Sequence, residues 1–161
     1  MAVLHREKHV AGESPFETRW AWRGGAVAGF VAALVMGVAI SLVQLETLRV
    51  AIAGLYGFEG SLLAGWAVHL VHGTLFGLLF AATLADPGLF RVSDWFWKTV
   101  FAGVVYGLVL AVFAAGTIMP IWLDAVGLST QTIPNVTASL LAWHLIYGAV
   151  LGGTFYFLEG L

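Results

Sequence analysis

Residues 61–84 read SLLAGWAVHLVHGTLFGLLFAATL. This segment contains no Asp, Glu, Lys or Arg, and it exceeds the roughly 20 apolar residues with which a helix crosses the hydrocarbon layer of a bilayer. A bilayer offers no water to unpaired backbone groups, so a spanning segment of this kind must be helical. Two histidines, His69 and His72, lie inside it, and an ionisable side chain within a membrane span usually belongs to a functional site.

Three further segments share this apolar character, and they are residues 22–45, 97–119 and 135–158. Hydrophobic residues make up 60% of the 161-residue chain and charged residues only 10%, with a mean hydropathy of +0.93. Such a composition cannot cover a water-facing surface. We therefore predict an all-α integral membrane protein, a four-helix bundle formed by residues 20–161, with a polar tail of residues 1–19 before it.

The histidine segment of the 61–84 span recurs further along the chain. Residues 69–77 read HLVHGTLFG and residues 144–152 read HLIYGAVLG, an offset of 75 positions. We predict two tandem two-helix repeats, about 20–86 and 95–161. Because each repeat has an even number of spans, the two copies share one orientation, with a pseudo-twofold axis along the membrane normal. The same offset also aligns Trp20 with Trp95, Trp22 with Trp97, and Arg23 with Lys98.

The positive charges indicate the orientation of the spans. Six of the seven Lys and Arg residues lie in the N-terminal tail, at the start of the first span or beside the link between spans 2 and 3, whereas Arg49 lies in the link between spans 1 and 2. The positive-inside rule then places both termini in the cytoplasm, in a multi-pass protein of the cell membrane. The net charge of −2 and the lack of a basic cluster give no indication of a nucleic-acid partner.

His69 and His144 occupy equivalent positions of the two repeats, so a twofold axis would let them face one central cofactor. Imidazoles from two helices of a bundle suit the two faces of a b-type haem. The chain has no cysteine, which excludes thiolate ligands and covalently attached haem. We therefore predict His69 and His144 as metal ligands to haem b, in an electron-transfer protein or a subunit of a membrane redox complex. Glycines beside these ligands would leave room for the ring, namely Gly73, Gly77, Gly148 and Gly152.

Three other polar residues complete the predicted site. Arg49 is the only cation at the outer end of the spans, where it could pair with a haem propionate. His72 aligns with Tyr147 and not with a second histidine, so the pattern gives no second haem. We expect His72 and Tyr147 to bind a quinone headgroup or to relay protons.

The same residues also fit functions without a cofactor. Glycines spaced four apart let membrane helices pack closely, and a membrane histidine often only hydrogen-bonds a neighbouring helix. The chain could therefore be a structural or assembly subunit whose glycine faces pack against other membrane subunits, or a small transporter. The sequence contains no catalytic motif. Whether the protein is an enzyme is left open. Besides the lipid bilayer, the partners we consider are other membrane subunits, a quinone or redox protein, and a second copy of the chain.

Three segments resemble a family of small four-span membrane proteins common in haloarchaea, and they are GTIMPIWLDAVG at 116–127, IPN at 133–135 and HLIYGAVLG at 144–152. The resemblance covers spans 3 and 4 best and implies a membrane location. Some members carry a histidine kinase label, which this sequence does not support because it contains no ATP-binding domain. In architecture alone, the chain is similar to the four-helix cores of b-type cytochromes, which implies axial ligation by His69 and His144. A single histidine pair would hold only one haem. An electron path across the membrane would then lack the second haem that those cytochromes use.

Overall fold

The computed structural model describes residues 19–86, 88–128 and 132–158. In these residues the regular structure is entirely helical. Each of its four long helices is long and apolar enough to cross a membrane, which confirms the predicted all-α class and the four spans. The predicted tail, residues 1–19, lies outside the described residues apart from Arg19. The helices are α1 (Arg19–Val43), α2 (Leu62–Leu84), α3 (Phe96–Ala125) and α4 (Ala138–Leu158).

Hydroxyl side chains fix where two of the helices begin. Helix α2 starts after Ser61, whose hydroxyl accepts a hydrogen bond of 3.2 Å from the Ala64 N–H. The residue before α4 is Thr137, whose hydroxyl accepts a bond of 3.2 Å from the Leu140 N–H. A cap of this type satisfies a backbone donor that has no partner within the helix. Helix α4 therefore begins later than residue 135, where the sequence pattern predicted its start.

Helix α3 is longer than predicted, because it continues past Pro120 to Ala125. Its middle part, Ala111–Ile118, is π-helical. Proline lacks the N–H that would bond the carbonyl four residues earlier, which here is that of Gly116. That carbonyl instead accepts a bond of 2.7 Å from the backbone N–H of Asn135, in the segment that leads to α4. The proline thus provides an attachment point for the start of α4 and does not end the helix.

Glycines set the contacts between α1 and α2 and between α3 and α4. A methyl group added at Gly29 would collide with the backbone of Gly73 and Gly77 on α2. One added at Gly103 would collide with the backbone of α4 in the same way. Close approach of this type gains van der Waals contact, which is what holds membrane helices together where lipid is as apolar as the side chains. Helix α1 also packs along α4, which joins the two pairs.

Helices α2 and α3 are farther apart than the other neighbours, and mainly side chains bridge them. The Tyr106 hydroxyl donates a hydrogen bond of 2.9 Å to the Phe76 carbonyl, and the rings of Tyr106 and Phe80 lie 5.3 Å apart. The gap leaves a cavity toward one end of the bundle and a groove toward the other. We name the end with the α1–α2 and α3–α4 links the outer end, and the end with the α2–α3 link the inner end.

The link between α1 and α2 packs against the bundle. Its π-helical segment, Thr47–Ile52, buries the side chains of Leu48 and Ile52. Gly65, in the first turns of α2, makes room for this segment, because a methyl group there would collide with the Leu48 carbonyl. The link therefore contributes to the wall of the outer half of the molecule.

Candidate functional site

A cavity of about 260 Å³ lies inside the outer half of the bundle, and all four helices contribute to its wall. Most of the wall is apolar. The histidines, tyrosine and threonine that line it are His69, His72, His144, Tyr147 and Thr47. The structure thus brings together both predicted metal ligands and both residues predicted to bind a quinone or relay protons.

His69 is almost fully buried, with 7% of its surface exposed. Its Nε2 lies 3.0 Å from the carbonyl oxygen of Ala33 on α1. A carbonyl can only accept, so Nε2 carries the hydrogen and donates it to this bond. In a neutral imidazole the other nitrogen, Nδ1, then keeps its lone pair. Nδ1 makes no hydrogen bond to the described part of the chain.

His144 is 9% exposed and has the opposite tautomer. Its Nδ1 donates a hydrogen bond of 2.9 Å to the carbonyl oxygen of Leu140, one turn earlier in α4. Its Nε2 therefore keeps the lone pair and, within the described residues, has no hydrogen-bond partner. Both histidines line the cavity, and each keeps one imidazole nitrogen that can accept a hydrogen bond from a guest or bind a metal.

Tyr147 joins the two helices that carry the buried histidines. Its side chain is 3% exposed, and its hydroxyl donates a hydrogen bond of 2.7 Å to the Gly73 carbonyl on α2. The hydroxyl hydrogen is directed at a backbone oxygen and is not offered to the cavity. Tyr147 therefore sets the spacing between α2 and α4, one turn away from His144.

His72 has a different partner. A hydrogen bond of 2.8 Å joins its Nε2 and the hydroxyl of Tyr56, a residue of the α1–α2 link. The Tyr56 ring also lies 5.3 Å from the ring of Trp122 near the end of α3. Because His72 and Trp122 both line the cavity, Tyr56 holds two parts of its outer wall together. The sequence has no signal for this role, since the contact depends on how the link folds back over α2.

Arg49 is engaged at the outer surface and lies outside the described cavity lining. Its Nε donates a hydrogen bond of 3.0 Å to the Gly60 carbonyl, and its Nη1 lies 3.7 Å from Oε1 of Glu46. These contacts connect the two ends of the α1–α2 link. The predicted pairing of Arg49 with a haem propionate therefore finds no support in its position.

The space beside the four predicted glycines is filled by neighbouring helices. A methyl group added at any of Gly73, Gly77, Gly148 and Gly152 would collide with atoms of α1 or α3. The cavity of about 260 Å³ is also small for a macrocycle, since about 150 Å³ holds one benzene ring and sites for drug-sized molecules start at about 300 Å³. Haem ligation by the two histidines stays a prediction, but this arrangement fits a haem poorly and a single substituted ring well.

A second space, of about 470 Å³, adjoins the cavity at the outer end. We call it the vestibule. Trp143 lies at the boundary, and its Nε1 donates a hydrogen bond of 2.9 Å to Oε1 of Gln44. The vestibule is lined by uncharged side chains, several of them polar, and it shares part of its wall with the cavity. Apart from Trp143, the side chains that line both spaces are Thr47, Ala115, Met119 and Leu140, and the polar ones that line the vestibule alone are Gln44, Thr132, Asn135, Thr137 and Ser139.

The described residues contain no group of three or more His, Asp or Glu side chains placed to hold a metal ion. Met36 and Met119 line the cavity together with the two buried histidines, so thioether sulfurs are present beside the imidazoles. Comparisons of the chain with protein-family models, with characterised proteins and with solved structures find no match.

Proposed function

We propose that this membrane protein binds a small ring compound with hydroxyl groups, of the quinol class, in the central cavity. The observation that carries this is that two histidines, each with one nitrogen that keeps its lone pair, Nδ1 of His69 and Nε2 of His144, line one mostly apolar cavity. A small-molecule site typically combines apolar walls with a few polar groups that fix the orientation of the guest. The quinone predicted for His72 and Tyr147 is thus assigned to the two buried histidines.

The reduced form of such a ring should bind more tightly than the oxidised form. A quinol presents hydroxyl donors to the two imidazole nitrogens, whereas a quinone presents carbonyl oxygens, which only accept. A neutral hydrogen bond contributes about 0.5–1.5 kcal/mol, or about 2- to 13-fold in Kd. The quinone makes neither of these two bonds and leaves both buried imidazole nitrogens unpaired. We therefore expect the quinol to bind at least about tenfold more tightly than the quinone.

Calorimetric titration of the purified full chain in detergent, under anaerobic conditions, tests this function. The probe is tetramethylhydroquinone, and its dimethyl ether is a control ligand with the same ring and no donor. His69→Leu and His144→Leu should each weaken binding of the hydroquinone about 2- to 13-fold and leave binding of the ether nearly unchanged. Leu145→Ala, at the partly exposed neighbour of His144, is the matched control and should change neither. Equal binding of the hydroquinone, the ether and the quinone to the wild type would contradict the proposal.

The same two nitrogens support bis-histidine haem ligation, in an electron-transfer protein, as a second candidate. It requires His69 to release Ala33 or to bind iron through Nδ1, and it requires the helices to separate around the ring. A pyridine haemochrome assay on the chain purified from membranes distinguishes the two candidates. Bound haem that is lost in both histidine variants would favour the second, and quinol binding by a haem-free sample would favour the first.

The cofactor-free alternatives differ in their support. A structural subunit would present its glycine faces to other subunits, but the glycines of all four helices contact neighbouring helices of this chain.

A small transporter agrees with the vestibule and would need an exit at the inner end. There the rings of Phe80, Tyr106 and Phe155 pack against one another, with centroids 5.3 and 5.5 Å apart. Uptake of the hydroquinone into liposomes would be the measurement that favours transport.

We infer that the two halves of the chain are tandem repeats related by an approximate axis along the membrane normal. What supports this is equivalent packing, since Gly73 lies against Gly29 as its counterpart Gly148 lies against Gly103. The packing counterparts Gly73 and Gly148 are 75 positions apart, whereas Gly29 and Gly103 are 74 apart, one fewer than the offset that aligns Trp22 with Trp97 on the same two helices. The axis is approximate, because α1 packs along α4 whereas α2 and α3 are apart. Membership of the haloarchaeal family stays a prediction.

We also propose that the inner end faces the cytoplasm, in the cell membrane. Arg23, Arg91 and Lys98 belong to the inner end, and Arg49 is the only cation of the outer links. This distribution is the one that the positive-inside rule associates with cytoplasmic termini.

A further inference from the structure

A groove of about 560 Å³ separates α2 from α3 in the inner half of the bundle, next to the bridge between Tyr106 and Phe76. The backbones of these two helices make few contacts and mainly side chains join them, so a recess is left between them. Phe80 in the groove is 1% exposed, whereas Phe101 and Val105 at its edge are exposed to the surrounding membrane. The groove is thus an apolar recess that opens sideways, toward lipid.

The length of the groove matches one leaflet of a bilayer. On α3 it runs from Trp97, in the first turn, to Val109. At 1.5 Å per residue, this stretch is about 18 Å long. Half of the roughly 30 Å hydrocarbon layer is about 15 Å. The recess therefore has the length of a single acyl chain, and a transmembrane helix of a partner would need about twice that length.

Lys98 places a positive charge at the interfacial end of the groove. Its Nζ lies 5.7 Å from the centroid of the Trp95 ring, and it makes no ion pair with a carboxylate of the described residues. Trp95 and Trp97 line the same end, and tryptophan is typical of the headgroup level of a membrane. A cation at the mouth of an apolar recess complements a molecule with a negative headgroup and a hydrocarbon chain.

We propose that this groove is a binding site for one anionic phospholipid. Its acyl chain lies between α2 and α3, and its phosphate meets the ammonium group of Lys98. The site is separate from the central cavity and does not depend on the quinol-binding function. One cation near the membrane surface contributes about 1 kcal/mol to the binding of an anionic lipid, which corresponds to about a fivefold preference over a zwitterionic lipid.

Native mass spectrometry of the delipidated full chain in detergent tests the charge. The chain is titrated with palmitoyl-oleoyl phosphatidylglycerol and with the phosphatidylcholine of the same chains. We expect the wild type to bind phosphatidylglycerol about fivefold more tightly and Lys98→Gln to bind both lipids equally. Arg23→Gln, which removes the same charge from the exposed face of α1, is the matched control and should keep the preference. A wild type without preference, or a Lys98→Gln variant that retains it, would overturn the proposal.

A second pair of variants tests the recess. Ala102→Phe fills the groove and should reduce binding of both lipids several-fold, whereas Val27→Phe adds the same ring to an exposed position of α1 and should not. If Ala102→Phe fails to fold, the comparison of Lys98→Gln with Arg23→Gln still decides the outcome. A dimer that displaces bound lipid from the wild type would mean that a second copy of the chain occupies the groove, which would also overturn the proposal.

Discussion

At the scale of single residues, the hydroxyl of Tyr147 joins two helices from within the cavity wall. It donates to the Gly73 carbonyl from a position that is 3% exposed, so neither water nor a lipid headgroup can replace it. The bond ties α4 to α2, and these helices carry the two imidazoles with lone pairs. Removing the hydroxyl should therefore affect both the stability of the bundle and the spacing of the site.

Tyr147→Phe keeps the ring and removes the hydrogen bond. We expect it to lower the free energy of unfolding by about 0.5–1.5 kcal/mol, because the buried carbonyl loses a donor. Thermal unfolding in detergent, followed by circular dichroism, measures this loss. Tyr56→Phe is the control, since the Tyr56 side chain is 44% exposed and water can replace its hydroxyl. A larger loss in Tyr56→Phe than in Tyr147→Phe would show that burial does not determine the value of these bonds.

The sequence predicted which residues line the cavity better than it predicted their hydrogen-bond partners. His69 and His144 share a cavity, as their equivalent positions in the two predicted repeats suggested. The sequence could not predict which imidazole nitrogen of each histidine keeps its lone pair. For His69 this depends on a hydrogen bond to the backbone carbonyl of Ala33, on another helix. Every residue has a carbonyl, so no sequence pattern distinguishes this one. The pairing of His72 with Tyr56 was missed for a similar reason.

At the scale of secondary structure, the π-helical part of α3 determines how α4 is attached. Pro120 leaves the Gly116 carbonyl open, and the Asn135 N–H occupies it. Four apolar spans could be predicted from length and composition alone. The continuation of α3 beyond Met119 could not, because it depends on a backbone donor that comes from another segment of the chain.

Gly116→Ala should weaken this attachment. The added methyl group would lie 2.8 Å from the Ala111 carbonyl oxygen and 3.1 Å from Val136 Cγ2, so the segment before α4 must shift. We expect a loss of about 1–3 kcal/mol in thermal unfolding, as for other overpacked sites. The control is Gly153→Ala, a helical glycine whose added methyl group has its nearest neighbours at 3.9 Å. That variant should be neutral or stabilised by up to about 1 kcal/mol, and equal losses in both would contradict the attachment role.

At the scale of the whole molecule, the four helices are arranged less symmetrically than the sequence repeat suggests. Helix α1 packs along α4, but the corresponding pair, α2 and α3, stays apart. The gap between α2 and α3 contains both the cavity and the groove. The length and composition of the apolar segments predicted the number of spans, and the predicted repeats grouped α1 with α2 and α3 with α4. The gap is bridged by side chains such as Tyr106, whose position a repeat alignment treats as an ordinary apolar one.

The proposed orientation can be measured with single cysteines, because the chain has none of its own. Glu59→Cys lies in the α1–α2 link and Asp86→Cys at the end of α2, and both positions are exposed. With cytoplasmic termini, a membrane-impermeant maleimide should label the first variant in intact cells and the second only after permeabilisation. The reverse labelling pattern would place the inner end outside the cell.

The wall of the cavity includes side chains from α1 and α4, which are the first and the last of the four described long helices. Met36 on α1 and His144 on α4 both line the cavity, and most of the sequence lies between them. A chain that ends before α4 therefore lacks part of the cavity wall. A ribosome-stalled chain that ends before α4 would enter the bilayer but retain no guest. Retention of the proposed guest would therefore report that all four helices have been made and assembled.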